Sequence, residues 1–424
     1  MLAQEESLHQ LSSQVLHSIQ ERKHAARLGI GPTESQSAPI VRLANQVIDF
    51  GIELRASDIH ISPLEDRLRL RYRVDGALWE CREAFPLRLH SMLVSRLKVM
   101  AGMDISEHRR PADGHIAYAC AKGKVDLRVA SLPVKYGEAI AIRILNAEKH
   151  LRCLGELGLS EQNEKLLRQL VHRPSGMLIA CGPMNSGKTT SLYAILQELN
   201  SPELNIMTIE DPVEGVIDGI NQIEVNPKAG LGFAEGLRAI LRMDANAIMV
   251  GEIRDETTAQ IAVRAALTGH LLITTLHARD SITALFRLLE MGIPAYLLAA
   301  TLSGIVAQRL VRRLCPFCRE SHEVIEGSTE AALLQDSFCT GKLLWHGNGC
   351  DACHGTGFLG RLPLHEILSV DDEIRHALLH QPEVADIESL ARGKGFRTMW
   401  EDGVAKAMQG STTLEEVGRV LYAH

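Results

Sequence analysis

The segment at residues 182–189, GPMNSGKT, constrains the fold of this chain more than any other feature. Its spacing is G-x-x-x-x-G-K-T, a glycine-rich loop followed by a lysine and a hydroxyl side chain. The apolar run at 177–181 before it favours a strand, and residues 190–196 after it favour a helix. A strand, a glycine loop and a helix in this order predict a phosphate-binding loop in preference to a plain glycine turn.

The predicted loop offers phosphate ligands of several kinds. Its backbone N–H groups would surround phosphate oxygens, and the start of the following helix adds a partial positive charge. We expect Lys188 to contact the β- and γ-phosphate oxygens and Thr189 to offer its hydroxyl to Mg²⁺. The residues predicted to contact nucleotide here are Gly182, Pro183, Met184, Asn185, Ser186, Gly187, Lys188, Thr189 and Thr190.

Composition is that of an ordinary globular protein. The chain has 424 residues, of which 46% are hydrophobic and 23% charged, and its length predicts about two to four domains. A net charge of −7 and an aromatic content of 4% argue against a protein whose main work is to coat nucleic acid. The amino terminus has no signal-peptide pattern and no apolar run reaches membrane-spanning length, so we expect a cytosolic protein, or one docked on a membrane through partners.

The pattern of apolar residues divides the chain into five predicted parts. Residues 1–38 are polar and predict a loose helix with a linker, whereas residues 39–146 mix helices with period-two runs, which predicts an α+β lobe. Residues 147–311 alternate strands with helices, which predicts a mostly parallel sheet with helices on both faces. Residues 312–365 contain paired cysteines, and residues 366–424 have helical character.

Polar side chains end three of the short apolar runs downstream of the phosphate loop. They are Glu210, Glu252 and His277. Proteins with parallel sheets bind their ligands at the carboxyl ends of the strands, where these residues are predicted to lie. Glu252 is a candidate general base or water-positioning residue, and Glu210 could hold Mg²⁺ through water or orient the nucleophile. His277 could donate a hydrogen bond to the γ-phosphate. Each residue has a structural alternative: a helix-starting carboxylate for Glu252, a capped turn for Glu210 and a purely structural histidine for His277.

Four of the nine cysteines form two C-x-x-C pairs, which predicts a structural zinc site. Four thiolates leave no open coordination position for catalysis, while a redox pair and a chance arrangement are the alternatives. The predicted ligands are Cys315, Cys318, Cys350 and Cys353. The remaining cysteines are scattered singly, so the chain does not have the pattern of a disulfide framework.

These motifs, in this order, resemble the type II secretion and type IV pilus assembly ATPases and their relatives in DNA uptake. The resemblance covers roughly residues 38–424. It rests on ten blocks, among them SDIHI (57–61), RYRVDG (71–76), GPMNSGKTT (182–190), TIEDPVE (208–214), GLRAILRMDANAIMVGEIRD (236–255), AALTGHLLITTLHARD (265–280), VAQRLVRRLCPFC (306–318) and GCDACHGTGFLGR (349–361). It implies a RecA-like P-loop ATPase core with an α+β amino-terminal lobe, a four-cysteine zinc insertion and a helical carboxy-terminal region.

The resemblance also assigns roles to single residues. Lys188 and Thr189 match the phosphate-loop lysine and the metal-side hydroxyl, Glu210 the acidic-box carboxylate, Glu252 the catalytic glutamate and His277 the histidine-box residue. The cysteine pairs match the tetracysteine site of the secretion and assembly branch, which pilus retraction motors lack. Arginines of the amino-terminal lobe sense phosphate in the family, and the candidates here are Arg73, Arg128 and Arg143.

The chain departs from the family pattern at three places. Asn185 stands where the family usually has glycine, and asparagine tolerates a positive φ better than other residues with a side chain. Residues 278–280 are ARD where Thr-Asn-Asp is more frequent. Residues 1–38 are too short for the extra amino-terminal domain with which many secretion ATPases bind their membrane partner, so the sequence does not indicate how the protein docks.

The motifs and the resemblance together imply a hexameric motor that uses ATP, Mg²⁺ and Zn²⁺ and powers pilus or pseudopilus assembly or protein secretion. We expect copies of this chain and an inner-membrane platform protein as its partners, and no nucleic acid. The expected place is the cytoplasmic face of a bacterial inner membrane, with peripheral attachment. The alternatives are a nucleic-acid translocase and a nucleotide-switched scaffold that does not hydrolyse ATP.

Overall fold

A computed structural model describes residues 8, 10–17, 38–81, 85–120, 123–145, 152–325, 327–334 and 343–422. The chain forms two compact units, Met1–Asn146 and Ala147–His424. The linker predicted within residues 1–38 and the single Cys339 lie outside the described residues. Among the described helices, none combines the length and the apolar character that a membrane crossing needs.

The amino-terminal unit packs helices against an antiparallel sheet. Its strand order is β3-β2-β1-β7-β6-β5, and the short β4 pairs with β2. The elements are α1 (Ala38–Glu53), β1 (Asp58–Pro63), β2 (Arg67–Val74), β3 (Ala77–Glu80), β4 (Phe85–Pro86), α2 (His90–Met100), β5 (Ala112–Cys120), β6 (Gly123–Val134) and β7 (Gly137–Leu145). This arrangement confirms the α+β lobe that period-two runs and two helices predict.

Local sequence explains how this sheet meets its helices. The apolar positions Leu43, Val47 and Ile48 of α1 are buried, as their helical spacing predicts. The phenol of Tyr72 on β2 donates a hydrogen bond of 3.1 Å to the carbonyl of Val47 and so anchors the helix to the strand. The turn after β2 has positive φ at Asp75 and Gly76, which is the two-residue hairpin turn that Asp-Gly favours.

The carboxy-terminal unit is built on a seven-stranded sheet with the order β10-β9-β11-β12-β8-β13-β16. All neighbours are parallel except β13 and β16. The strands are β8 (Gly176–Cys181), β9 (Ile206–Glu210), β10 (Asn221–Glu224), β11 (Ala247–Val250), β12 (Leu271–Leu276), β13 (Leu302–Leu314) and β16 (Phe358–Ser369). The helices around it are α3 (Glu161–Val171), α4 (Lys188–Leu199), α5 (Phe233–Ile240), α6 (Glu256–Leu267), α7 (Ser281–Glu290) and α8 (Ala295–Thr301).

Helices cover both faces of this sheet, as the alternation of elements predicts. Successive residues of β8 show it: Met177 and Ile179 belong to the core that contains α6 and α7, whereas Leu178 and Ala180 belong to the core that contains α3 and α4. A strand buried on both faces must be apolar at consecutive positions, which explains the unbroken run in the sequence.

Two strands of the sheet have no counterpart in the sequence prediction. Residues 302–314 and 358–369 form β13 and β16, which pair antiparallel over most of their length and add an edge to the sheet. Polar residues within both segments hide the strand pattern, because β13 carries Gln308, Arg309 and Arg312. The residues between these strands hold the cysteines and the small elements β14 (Arg319–Glu323), α9 (Thr329–Leu334) and β15 (Leu343–Gly347).

The last part of the chain is helical beyond the end of β16, as predicted. Its helices are α10 (Asp372–Leu378), α11 (Val384–Arg392), α12 (Met399–Met408) and α13 (Leu414–Tyr422). A buried carboxylate ties α13 to the sheet: Glu416 accepts hydrogen bonds from Arg312 of β13 at 3.0 and 2.8 Å and from Arg419 at 2.7 and 2.6 Å. Burial alone would raise the pKa of Glu416, but the donors from Arg419 and Arg312 lower it to about 2.

The Glu416 network predicts a pH-dependent loss of stability. Because the pKa of Glu416 is lowered in the folded state, its contribution is complete above the ordinary carboxyl range and is lost as the pH falls toward 2. We expect Glu416→Gln to lower the free energy of unfolding at pH 7 by roughly 2 kcal/mol. Denaturant titrations should show this difference shrinking between about pH 5 and pH 2.

The neighbouring Glu415 provides the control, since its side chain is exposed in the first turn of the same helix. Glu415→Gln should change the free energy of unfolding little at any pH. A Glu416→Gln effect that stays constant as the pH falls would contradict the assignment.

Candidate active site

The phosphate loop lies where β8 ends and α4 begins. Gly187 caps α4 with φ of 89°, and Asn185 takes φ of 61°, so asparagine adopts the left-handed conformation at the position where the chain departs from the family. Gly182 has φ of 156°, and a Cβ there would lie 2.6 Å from the carbonyl oxygen of Gln308. The loop therefore keeps the backbone shape that its glycines and Asn185 permit.

Lys188 folds back over this loop. Its Nζ donates hydrogen bonds to the carbonyl oxygens of Gly182 at 2.8 Å and Pro183 at 2.9 Å. Burial lowers the pKa of Lys188, while the nearby charge of Glu252 acts in the opposite direction. An incoming phosphate would offer Lys188 anionic oxygens in place of two neutral carbonyls, which is a stronger interaction for an ammonium group.

Glu252 and His277 come together at the carboxyl ends of β11 and β12. His277 Nε2 lies 3.3 Å from Glu252 Oε2, although the two residues follow different strands. Arg254 Nε donates to the other oxygen, Glu252 Oε1, at 2.5 Å, and Arg254 also pairs with Asp211 at 3.3 Å. A carboxylate, an imidazole and a guanidinium thus share one edge of the sheet, and the acid–base groups needed to orient water are among them.

Glu210 occupies a different environment from Glu252. It is buried at the end of β9 and accepts hydrogen bonds from Tyr193 at 2.5 Å, Thr208 at 2.6 Å and Gln222 at 3.0 Å. Burial, and next the hydrogen bond to Glu210, raise the pKa of Tyr193. These contacts connect Glu210 to the helix that follows the phosphate loop. Its assignment to Mg²⁺ or to the nucleophile stays a prediction.

The loop that carries His277 is held from three directions. Arg309 donates a hydrogen bond of 2.6 Å to the carbonyl oxygen of Arg279, and Asp280 caps α7 by accepting from the N–H of Thr283 at 2.7 Å. The buried Glu366 accepts from both the N–H and the hydroxyl of Ser281 at 2.7 Å. Asp280, the last residue of the altered histidine box, therefore keeps its capping contact.

Several residues of this site have no place in the sequence prediction. Arg254 lies two residues after Glu252, and Asp211 directly follows Glu210, yet the contact between Arg254 and Asp211 joins two separate loops. Gln308 and Arg309 belong to β13, a strand that the sequence pattern does not indicate. The signal that could have found them is their position in the block VAQRLVRRLCPFC, in which polar residues interrupt an apolar run.

The three candidate arginines lie in one row of the amino-terminal sheet. Asp58 on β1 opposes Arg73 on β2 and Arg143 on β7, and Arg143 in turn opposes Arg128 on β6. Asp58 is 3.1 Å from Arg143 Nε and 3.7 Å from Arg73 Nε, so one carboxylate faces two guanidinium groups. The row keeps a surplus of positive charge, as an anion site requires, and its contact with nucleotide stays a prediction.

The four predicted cysteine ligands converge. The Sγ–Sγ distances of Cys315–Cys350, Cys318–Cys353 and Cys350–Cys353 are all 3.8 Å, which is about the spacing expected around a tetrahedral zinc ion with Zn–S bonds near 2.3 Å. Burial raises the pKa of the Cys353 thiol, but the N–H groups of Cys350 and Gly357 outweigh it and bring the pKa to about 6. The donor set therefore fits zinc, and it offers four sulfurs and no catalytic water position.

Comparison with known proteins identifies the family. Residues 33–419 match the model of the Type II/IV secretion system protein family. The chain belongs to this family. Its membership, together with relatives that are named ATPases, confirms the predicted ATP hydrolase.

Curated relatives are similar over most of the chain. Type II secretion system protein E of Dickeya dadantii is 46% identical over 90% of this chain and 76% of its own length. Type II secretion system ATPase E of Vibrio cholerae is 44% identical over 90% of this chain and 75% of its own. The type IV pilus assembly ATPase PilB of Thermus thermophilus is 42% identical over 93% of this chain and 44% of its own.

Solved structures agree on the fold. The ATPase DotB of Legionella pneumophila superposes with a TM-score of 0.64 at 21% identity, covering 88% of this chain and 93% of that one. The pilus retraction motor PilT, solved with bound ADP, has a TM-score of 0.57 at 26% identity and covers 88% of this chain and 95% of its own. These likenesses confirm the predicted mixed α/β ATPase fold.

The Glu210 network predicts the effect of a single hydroxyl. Tyr193→Phe removes one of three donors to a buried carboxylate, so we expect the free energy of unfolding to fall by about 1–3 kcal/mol. Tyr296 is 62% exposed and provides the matched control. Thermal denaturation should show a lower melting temperature for Tyr193→Phe and an unchanged one for Tyr296→Phe; equal melting temperatures would contradict the network's contribution.

Proposed function

We propose that this chain is a Mg²⁺-dependent ATPase motor that works as a homohexamer in pilus or pseudopilus assembly or in type II secretion. The observation that carries the proposal is the meeting of Glu252 with His277 and Arg254 at the sheet edge that also bears the phosphate loop. Charged groups of opposite sign and a titratable imidazole at that edge are the parts that phosphoryl transfer needs.

In this proposal different residues of the chain bind the phosphates, activate water and hold the metal. The backbone of residues 182–187 and Lys188 hold the ATP phosphates, and Glu252 orients the attacking water and accepts its proton. His277 donates a hydrogen bond to the γ-phosphate. Thr189, in the first turn of α4, offers the hard oxygen ligand that Mg²⁺ prefers, and the metal would supply neutralisation of phosphate charge.

Arg254 sets a condition for this chemistry. Glu252 Oε1 is bound by Arg254, so Glu252 cannot serve as a free base while both of its oxygens keep their present partners. Arg254 is more than half exposed and is therefore free to turn toward a bound phosphate. Such a movement would transfer its charge from the carboxylate to the anion and release Glu252 for water.

Further positive charge would come from the amino-terminal sheet. We infer that Arg73, Arg128 and Arg143 contact the nucleotide phosphates, the role that the resemblance assigns to arginines of this lobe. Their alignment at paired positions of neighbouring strands supports this inference, because side chains in such a row can present their charges to the same anion.

The four cysteines support an assembly or secretion role over retraction. The resemblance implies that retraction motors lack that insertion, and the relatives at 42–46% identity carry secretion and assembly names. We propose that a zinc ion held by the cysteines is structural and that a platform protein of the inner membrane is the partner. The chain would then lie at the cytoplasmic face of the inner membrane, attached peripherally. Mass photometry with ATP and Mg²⁺ would test whether six copies of the chain form a ring.

Steady-state ATPase assays test the hydrolytic residues. Lys188→Ala should abolish activity because the phosphates lose their cation, and Glu252→Gln should lower kcat by about 10²–10⁴-fold while nucleotide still binds. Glu290→Gln is the control, since that carboxylate is exposed and pairs with Arg287 on the same helix. Wild-type activity in either site variant, or no binding of ATP with Mg²⁺ by the wild type, would overturn the proposal.

Elemental analysis tests the metal. Purified protein should contain about one zinc per chain, and Cys315→Ser or Cys350→Ser should remove it and lower the melting temperature. Cys153 is an exposed cysteine away from this cluster, so Cys153→Ser should retain the zinc. Zinc content that does not change in the first two variants would rule out these ligands.

A further inference from the structure

The side-chain amide of Gln308 is enclosed between the phosphate loop and the first turn of α4. Gln308 is 3% exposed. Its Nε2 donates a hydrogen bond of 2.8 Å to the carbonyl oxygen of Ser186, and its Oε1 accepts one of 2.6 Å from the hydroxyl of Ser191. Both ends of the amide are therefore fixed, one to the loop and one to the helix.

The position of Gln308 follows from strand register. Ala307 on β13 is opposite Cys181, the last residue of β8, so Gln308 stands beside the first residue of the loop. This register is determined by a parallel strand pair with both faces buried, which resists slippage. The backbone of β13 thus places the amide beside the loop.

A phosphate loop needs such a donor on its outer side. Its N–H groups face the anion, so its carbonyl oxygens face away from the anion, and those that are buried require a hydrogen-bond donor. The carbonyls of Gly182 and Pro183 receive theirs from Lys188, and the carbonyl of Ser186 receives its donor from Gln308.

These two donors differ in what happens when nucleotide binds. Lys188 is expected to reach toward the phosphate oxygens when nucleotide binds, so its ammonium group must then serve the anion as well as the loop. Gln308 is neutral and lies on the outer side of the loop, and its hydrogen bond to Ser186 does not compete with phosphate. Gln308 can therefore hold the loop in the same shape before and after binding.

Two loop glycines make room for this contact. A Cβ on Gly187 would lie 2.7 Å from Nε2 of Gln308, and a Cβ on Gly182 would lie 2.6 Å from its carbonyl oxygen. Both separations are below the closest approach that a carbon atom tolerates. Because residues 182 and 187 are glycines, β13 can approach the loop on one side while phosphate binds on the other.

We propose that Gln308 is a positioning residue of the nucleotide site, which holds the phosphate loop in its anion-binding shape from the neighbouring strand. The inference rests on the proposed nucleotide function and adds a residue outside the phosphate-binding motif. Gln308 touches no phosphate itself, so its loss should weaken the binding of ADP and ATP alike and leave the chemical step nearly unchanged.

The experiment uses the full chain and compares Gln308→Leu with Gln308→Glu. Gln308→Leu removes both hydrogen bonds, whereas Gln308→Glu keeps the acceptor for Ser191 and places an oxygen against the carbonyl of Ser186. We expect the Kd for a fluorescent ADP with Mg²⁺ and the KM for ATP to rise together, by about tenfold for Leu and by more for Glu. The expected change in kcat is below about threefold.

Two more variants keep the test decisive. Ser191→Ala leaves Gln308 in place but removes the hydroxyl that orients its amide, so we expect about a threefold rise in Kd, and it decides the matter if the Gln308 variants do not fold. Thr301→Val deletes another buried hydroxyl bond, from Thr301 to the carbonyl of Leu297 at 2.7 Å. It should lower the melting temperature without changing the Kd for ADP.

The outcomes separate this inference from the proposed function. An unchanged Kd for ADP in folded Gln308→Leu and Ser191→Ala, with active wild type, would overturn the positioning role alone. Equal weakening of ADP binding by Thr301→Val would also overturn it, because the effect would then be a general loss of stability. A wild type that binds no adenine nucleotide would overturn the nucleotide site and this inference together.

Discussion

Parallel pairing of strands that are buried on both faces determines where chemistry can occur in the carboxy-terminal unit. Within β8, β11 and β12 every residue is buried, because helices cover both faces, and apart from Thr274 and Thr275 of β12 no side chain is polar. Polar groups can therefore reach solvent only where the strands end. Because these strands run in one direction, their ends meet at one edge, and the phosphate loop, Glu252 and His277 come together there.

The sequence predicts this arrangement well where one element decides the outcome. Residues 247–250 form the predicted strand with the same bounds, and parallel order places Glu252 and His277 at the same edge of the sheet. Contacts that depend on geometry between loops could not be predicted. Arg254 pairs with Asp211, which follows a different strand. A local sequence pattern does not predict which of several nearby carboxylates a long arginine side chain will contact.

Other parts of the structure show why pattern alone is insufficient. The sequence pattern does not indicate strand β13, because its polar residues have buried partners that are distant in sequence: Gln308 bonds Ser191, and Arg312 bonds Glu416. Glu210 has the sequence position of a site residue, yet it is surrounded by three donors. The cysteine spacing, in contrast, predicts a cluster whose distances fit a metal, because thiolate pairs have few other reasons to converge.

Strand β13 has a mechanical consequence. It passes the phosphate loop at Gln308 and continues without a break to Leu314, and the next residue is the first cysteine of the metal cluster. Ladder hydrogen bonds with β16 hold this strand in the sheet up to the irregularity between Arg312 and Leu314. The phosphate loop and the cysteine cluster are therefore joined through a single strand, and unfolding of the cluster on loss of its metal would begin seven residues from the contact between Gln308 and the loop.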